Sequence, residues 1–359
     1  MRKVIAKIDL ENIRYNAKAF LKRTGKPICA VVKANAYGHG AEEVVNALED
    51  TADCFAVSLL DEALAIRVAA CGKDVLILTP PNGENEIVSA AKNGFILTVG
   101  DYSTAKLVAA ISQRQDLPIR VHLKANTGMN RYGMDLKTLK AACAFLSGYK
   151  SVCVEGLYSH IYEYSLATAE RQRLSFLHMQ AVARGYFPKL TCHLSATYGA
   201  MLGKEFVFDM TRIGIGLYGY MPDGANDIPY FTLRKAMSVW AEVSAIGQYR
   251  TGGIGYGKAA AEENASLSVI RFGYADGYLR RRENGVCGWE YNANNLCMDA
   301  CIRLKKGRKG QWLPVMTDAA ETARLTGTIS YEVLCAATRR AEMVYDDVTF
   351  CGRTRTKKY

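Results

Sequence analysis

Short apolar runs and helical periods alternate along residues 11–217. Ile28–Val32, Phe55–Val57, Val75–Leu78, Phe95–Leu97, Ile119–Leu123, Cys153–Leu157, Leu190–His193 and Ile213–Leu217 read as buried strands. Amphipathic stretches such as 61–70 and 168–184 fall between them. Apolar runs this short suit strands covered on both faces. Eight strand–helix units predict an α/β fold with a closed (β/α)8 barrel over residues 10–222. A doubly wound open sheet is the competing arrangement. After Met221-Pro222-Asp223-Gly224 the long helical periods stop. Ser238–Ile246, Ser266–Phe272, Trp312–Met316 and Met343–Val348 then predict a mostly antiparallel β domain over 223–359. Val4–Ile8 alternates and precedes the first helix, so the N-terminal strand within residues 1–9 is expected to pair with that second domain.

Composition changes this picture little. Hydrophobic residues make up 49% and charged residues 23% of the 359 positions, as in ordinary globular proteins. No apolar run is long enough to span a bilayer, and the charged start lacks the apolar centre of a signal peptide. A cytoplasmic protein is expected. The 11 cysteines are odd in number, and Cys29, Cys54, Cys153, Cys192 and Cys335 lie within apolar runs, which suits free thiols of a reducing compartment. Cys297 and Cys301 have no further ligand close in sequence, so no metal site is expected. The net charge of +11 is spread out, with local clusters at 305–309 and 353–358. It fits attraction to anionic small molecules better than nucleic-acid binding.

Candidate chemistry lies where the barrel strands end. Lys33 closes the first strand in Val31-Val32-Lys33-Ala34-Asn35-Ala36-Tyr37-Gly38. It is either a surface lysine or an amine aimed into the barrel mouth, where partial burial makes it a nucleophile for carbonyls. His160 ends another strand, and Lys124 and Arg131 flank the turn Asn126-Thr127-Gly128-Met129-Asn130. Arg212 is embedded in an apolar segment and needs a partner. Gly214 and Gly216 let backbone N–H groups approach an anion. Tyr256 stands in a glycine-rich loop, Gly252-Gly253-Ile254-Gly255-Tyr256-Gly257. Each alone also has a packing or surface explanation.

Together these residues resemble the alanine racemase family, over nearly the whole chain and in order. The markers are Ala30–Gly40, Thr127–Gly133, Gly214–Gly219, Ile254–Gly257, Gly273–Gly277, Cys297–Asp299 and Gly327–Glu332. The resemblance implies a barrel plus β domain, pyridoxal 5′-phosphate (PLP) as cofactor, and a homodimer with shared sites. It implies interconversion of L- and D-alanine, supplying D-alanine for peptidoglycan precursors. Lys33 would bond covalently to PLP, with Tyr256 of the partner subunit facing it. Tyr37, Ser195, Tyr331 and the backbone at Gly214 and Ile215 would hold the phosphate. Arg212 would meet the pyridine nitrogen, and His160 would lie behind Tyr256. Arg131 and Met298 would take the substrate carboxylate. Lys124 matches a position carbamylated in some members. Tyr274, Arg280 and Asn295 would line the substrate entrance.

These roles make chemical sense. Racemisation takes a proton from one face of a carbon and returns one to the other, so two bases should flank it. A phenol is a poor base near neutrality, so positive charge from Arg212 and His160 is expected to activate Tyr256. An arginine at the pyridine nitrogen weakens the electron sink and argues against decarboxylation. Departures from the family pattern are Leu194 before Ser195, where Asn is usual; Asn294-Asn295, where Gly-Arg is usual; and a shortened stretch from Met298 to Thr328. They leave open a serine or broad-specificity racemase. A non-catalytic PLP-binding protein on the same barrel fits less well, because both the β domain and Tyr256 are present.

Overall fold

The computed structural model describes residues 4–70, 72–225, 228–229, 231–256, 261–277, 296–346 and 356–357. An N-terminal strand, β1 (Val4–Asp9), leads into the helix Leu10–Thr24. The barrel strands follow: β2 (Ile28–Val31), β3 (Cys54–Val57), β4 (Asp74–Ile77), β5 (Leu97–Val99), β6 (Ile119–Lys124), β7 (Val152–Tyr158), β8 (Thr191–His193) and β9 (Thr211–Ile213). They form two parallel four-stranded sheets, β4-β3-β2-β9 and β5-β6-β7-β8. Backbone bonds join the sheets at both seams. Ile77 N donates to Ile96 O and Ile96 N to Val75 O, each at 2.9 Å. At the other seam Asp209 N reaches Cys192 O at 2.9 Å and Arg212 N reaches Ser195 O at 3.0 Å. The ring is therefore closed, and the open sheet is excluded.

Helices cover the outside, and several start on a carboxylate or hydroxyl. Asp9, Asp101, Asp135, Ser165 and Asp318 each accept a bond from a first-turn N–H, which satisfies a donor the helix cannot pair itself. Two expected strands shift. Phe95–Leu97 becomes Leu97–Val99, with Phe95 and Ile96 buried ahead of it. Ile213–Leu217 becomes Thr211–Ile213 followed by a 3₁₀ turn at Ile215–Tyr218. Gly214 and Gly216 allow that turn to pack tightly: a Cβ at 214 would stand 2.7 Å from the Tyr37 hydroxyl, and one at 216 would stand 2.5 Å from the Phe20 ring.

The second domain is built on β10 (Met237–Gln248), β11 (Ser266–Ile270), β12 (Cys301–Arg303), β13 (Trp312–Met316), β14 (Glu342–Asp346) and β15 (Thr356–Lys357). Its pairs are antiparallel except β1 with β14. β1 pairs with β10 and β14 in this sheet. Helical structure does not stop after residue 222, however. Ala319–Thr326 and Ser330–Ala337 are helices. Asn16 ties the units together: its Nδ2 donates to Leu217 O at 2.9 Å and Arg234 O at 2.7 Å, and its Oδ1 accepts from Arg234 N at 2.8 Å. Among the described residues, no helix is long and apolar enough to cross a membrane and no metal-ligand cluster is found.

Candidate active site

Lys33 leaves β2 into an unusual piece of backbone. Ala34, Asn35, Ala36 and Tyr37 have φ of 52°, 52°, 54° and 53°. This is one turn of left-handed helix, closed by Ala36 N to Val32 O at 2.8 Å and Gly38 N to Ala34 O at 3.0 Å. Such backbone costs about 1–2 kcal/mol per residue bearing a Cβ, so neighbours must hold it. Glu62 Oε1 accepts the Ala34 N–H at 2.7 Å, and Asn35 Oδ1 accepts the Ala41 N–H at 2.9 Å. The turn places Lys33 and Tyr37 on the wall of a cavity of about 610 Å³ at the barrel mouth. Burial and the Arg131 guanidinium hold the Lys33 amine below the usual lysine range, against the opposing carboxylate of Glu62. More of its population is then the free, nucleophilic amine.

Arg212 reaches the same cavity from β9, on the far side of β2 from β3. Its Nη1 donates to His193 Nδ1 at 2.7 Å and His193 O at 3.0 Å. Its Nη2 donates to Ser159 O at 2.6 Å and Leu194 O at 3.2 Å. These bonds occupy both terminal nitrogens and leave the Nε–H over. Because His193 Nδ1 accepts, its proton lies on Nε2, which points to His122 Nδ1 at 3.0 Å. Tyr158 is stacked on His193 at 5.0 Å and lies beneath both Lys124 Nζ (4.4 Å) and Arg212 (5.2 Å). The buried cations thus rest on an aromatic face. Burial, with Arg212 and Arg131 nearby, depresses the Lys124 amine strongly.

His160 also lines the cavity. Burial and the surrounding Arg212, Lys124, Arg131 and Lys33 push it well below the usual histidine range. That favours its neutral form, so Arg212 is the stronger source of positive charge for a phenol brought to the cavity. At the other end, Tyr37, Tyr331, Gly214 and Ile215 converge on the cavity wall. Tyr331 packs on Tyr37 at 5.9 Å, and Ser330 beside it is anchored to Asp223 through its N (3.0 Å) and Oγ (2.7 Å).

Ser195 is a second correction. It is fully buried, and its hydroxyl donates to Phe206 O at 2.6 Å, away from the cavity. Thr197, two residues on, lines the cavity instead, with its Oγ1 accepting from Gly216 N at 3.2 Å. The residue before that hydroxyl is then Ala196, so the departure read at Leu194 moves with it. Arg131 stands exposed at the rim. The β-domain candidates stand elsewhere: Tyr256 is 63% and Met298 52% exposed, and neither lines the cavity. Tyr274 is bound to the Met298 loop through its N–H on Cys297 O at 3.2 Å. Arg280 and Asn295 lie outside the described residues. Tyr158, His193, His122 and Thr197 join the candidates here; Tyr158 and His193 end β7 and β8, a position that marks Lys33 and His160 in the sequence as well.

The chemistry of the donors fits PLP. An amine of lowered pKa, a guanidinium with one donor left over, and a cluster of hydroxyls with backbone N–H groups face one space. They match a carbonyl, a ring nitrogen and a phosphate respectively.

Relatives agree with this arrangement. Residues 8–222 match the family described as alanine racemase, N-terminal domain, and residues 236–345 its C-terminal domain. The alanine racemase of Lactobacillus delbrueckii subsp. bulgaricus is 33% identical over 95% of this chain and 96% of that protein. The alanine racemase of Clostridium difficile 630 superposes with a TM-score of 0.89 at 26% identity, covering 99% of this chain and 98% of that one. An alanine racemase of Bartonella henselae, solved with covalently bound pyridoxal phosphate, has the same fold (TM-score 0.85, 24% identity, 96% and 100% coverage). Two matched domains in the right order, over a barrel mouth carrying the marker residues, establish that this chain belongs to the alanine racemase family.

Proposed function

We propose that the chain interconverts L- and D-alanine, using PLP held at the barrel mouth. The observation that carries this reading is the convergence of Lys33, Arg212 and Arg131 on one cavity, with the Lys33 amine depressed by burial and by Arg131. PLP, when bound, supplies an aldehyde for an amine and a conjugated ring that spreads negative charge from the neighbouring carbon. The chain's residues do the rest. Thr197, Tyr37, Tyr331 and the backbone N–H groups at Gly214 and Ile215 would hold the phosphate. The Nε–H of Arg212 would face the ring nitrogen as a donor, leaving it unprotonated. Arg131 would take the substrate carboxylate through its two-pronged geometry. Lys33 would take or return the α-proton on one face.

The second base is Tyr256 of the partner subunit. In a single chain it stands exposed and outside the cavity, so the reading requires a homodimer. Met298 of the partner subunit and the entrance groups Tyr274, Arg280 and Asn295 would arrive with it. Tyr331, packed on Tyr37, narrows the cavity beside Lys33 and favours alanine over a larger side chain. Burial, Arg212 and Arg131 depress the Lys124 amine strongly and so raise its free-amine fraction, which suits carbamylation; the added negative charge would steady Arg131. The free cysteines among the described residues suit a cytoplasmic setting. The test is the circular dichroism of L-alanine incubated with the chain and PLP. It should decay to zero, and an undiminished signal rejects the reading.

A further inference from the structure

The left-handed turn after Lys33 contains no glycine, and only Asn35 among its residues tolerates that backbone readily, so its shape needs support from neighbours. His39 is the side chain that reaches back to it. Its Nδ1 lies 3.1 Å from Ala36 O and 3.1 Å from Tyr37 O, the last two carbonyls of the turn. Both are acceptors, so Nδ1 carries the proton. The ring is completely buried and stacked on Tyr218 at 4.4 Å. Tyr218 in turn packs on Tyr37 at 4.9 Å and donates its hydroxyl to Val31 O at 3.0 Å. The other ring nitrogen, Nε2, is buried with no partner among the described residues. A buried polar atom left unpaired works against stability. A leucine or phenylalanine would avoid that loss, so the imidazole is retained for what Nδ1 does.

We propose that His39 is a positioning residue: its Nδ1–H clamps the carbonyl end of the left-handed turn and so fixes how Lys33 and Tyr37 enter the cavity. Glu62 holds the opposite end, through the Ala34 N–H. The two clamps differ in kind. Glu62 is a carboxylate that also acts on the Lys33 amine. His39 stays neutral, because burial holds its imidazole down to about 4, and acts through shape alone. The proposal rests on reading Lys33 and Tyr37 as the groups that hold PLP.

Three variants separate the donor from the ring. His39→Asn keeps an N–H donor near the position of Nδ1. His39→Gln moves the donor outward, and His39→Phe keeps the aromatic face on Tyr218 but has no donor. PLP affinity is measured by absorbance titration, and Lys33 modification by borohydride trapping with peptide mapping. The Asn variant should stay close to wild type, while Gln and Phe each lose about tenfold in PLP affinity, one neutral hydrogen bond's worth. Equal behaviour of Asn, Gln and Phe overturns the proposal, whether all are intact or all impaired. A second readout needs neither cofactor nor turnover. An amine-selective reagent applied across pH to the PLP-free chain reports the pKa of Lys33. In the Phe variant that profile should move up towards an ordinary lysine; an unmoved profile also overturns the clamp. If wild type itself neither binds PLP nor racemises alanine, the functional reading fails, and the labelling profile still decides whether His39 positions Lys33. If Phe fails to fold by thermal melting, the Asn and Gln pair carries the same decision.

Discussion

The barrel mouth and the tip of the β domain, which the proposed function assigns to the two sides of one site, are built in opposite styles. At the mouth, Lys124, Arg212 and His193 are buried, Arg212 and His193 bonded to each other and Lys124 resting on the Tyr158 ring, so desolvation acts on all three. At the tip, Tyr256 and Met298 are more than half exposed. The tip is nonetheless built. Ala275 N donates to Met298 O at 2.9 Å, and Arg340 joins the two loops through Asp299 (2.7 Å) and Asp276 (3.5 Å). An ordered but exposed segment beside a desolvated cavity is what the proposed shared site requires, the first being covered by another copy in the dimer. A mouth open to water would leave its cations screened and a phenol base unactivated.

The strongest way to break that comparison is complementation between inactive chains. Lys33→Ala and Tyr256→Phe homodimers should each lose activity by a factor on the order of a thousand or more, as for removal of a base in proton transfer. Mixing and reassembling the two should restore roughly a quarter of wild-type activity. Half of the dimers are then hybrids, and each hybrid has one site with both lesions and one with neither. If each chain completes its own site, the mixture stays inactive and the split-site account is lost.

The two halves were also unequally legible in the sequence. Barrel strands buried on both faces are written as continuous apolar runs, and a lysine or histidine ending such a run stands out. The same signal misled at the last strand: Ile215 and Leu217 are buried in a 3₁₀ turn, and burial alone does not distinguish a turn from a strand. In the β domain, the helix Ala319–Thr326 buries Ala319, Thr322 and Ala323, residues too small to show a helical period. The left-handed turn was illegible because Ala34, Ala36 and Tyr37 are not residues that choose that backbone, and Asn35 alone is too weak a signal. Ser195 and Thr197 offered two hydroxyls two positions apart, just past β8. There the chain leaves the strand, the in–out alternation ends, and spacing no longer says which one faces the cavity.

That ambiguity gives the next prediction. Thr197→Val should weaken PLP binding about tenfold or more, because a hydrogen bond to a charged group is worth about 1.5–3 kcal/mol. Ser195→Ala should leave PLP affinity unchanged and lower stability by about 1 kcal/mol, through the lost bond to Phe206 O. Absorbance titration and urea unfolding of the two variants check this. The opposite assignment of losses would return the phosphate contact to Ser195 and the register to the one first read.

Acid titration sharpens the comparison in a graded way. All five histidines of the chain, at 39, 122, 160, 178 and 193, lie in the barrel portion and none in the β domain. Burial lowers His39 to about 4 and His122 to about 3, the latter aided by Arg120 and Arg212. Unfolded, both take a proton near pH 6.5. Their folded pKa values are depressed, so the unfolded chain binds more protons in between and stability falls as pH drops below 6.5. The contribution is complete above that point and erodes until the folded values are reached, by about 2 kcal/mol per histidine near pH 4.5. Urea midpoints taken between about pH 8 and 4.5 should decline accordingly, and His122→Asn should flatten the curve. Barrel amides should lose hydrogen-exchange protection before β-domain amides as the pH falls, since only the barrel carries buried imidazoles to protonate. Simultaneous loss in both regions would mean that the Asn16 tie to Leu217 and Arg234 makes one cooperative unit of the chain, with acid sensitivity shared rather than confined to the mouth.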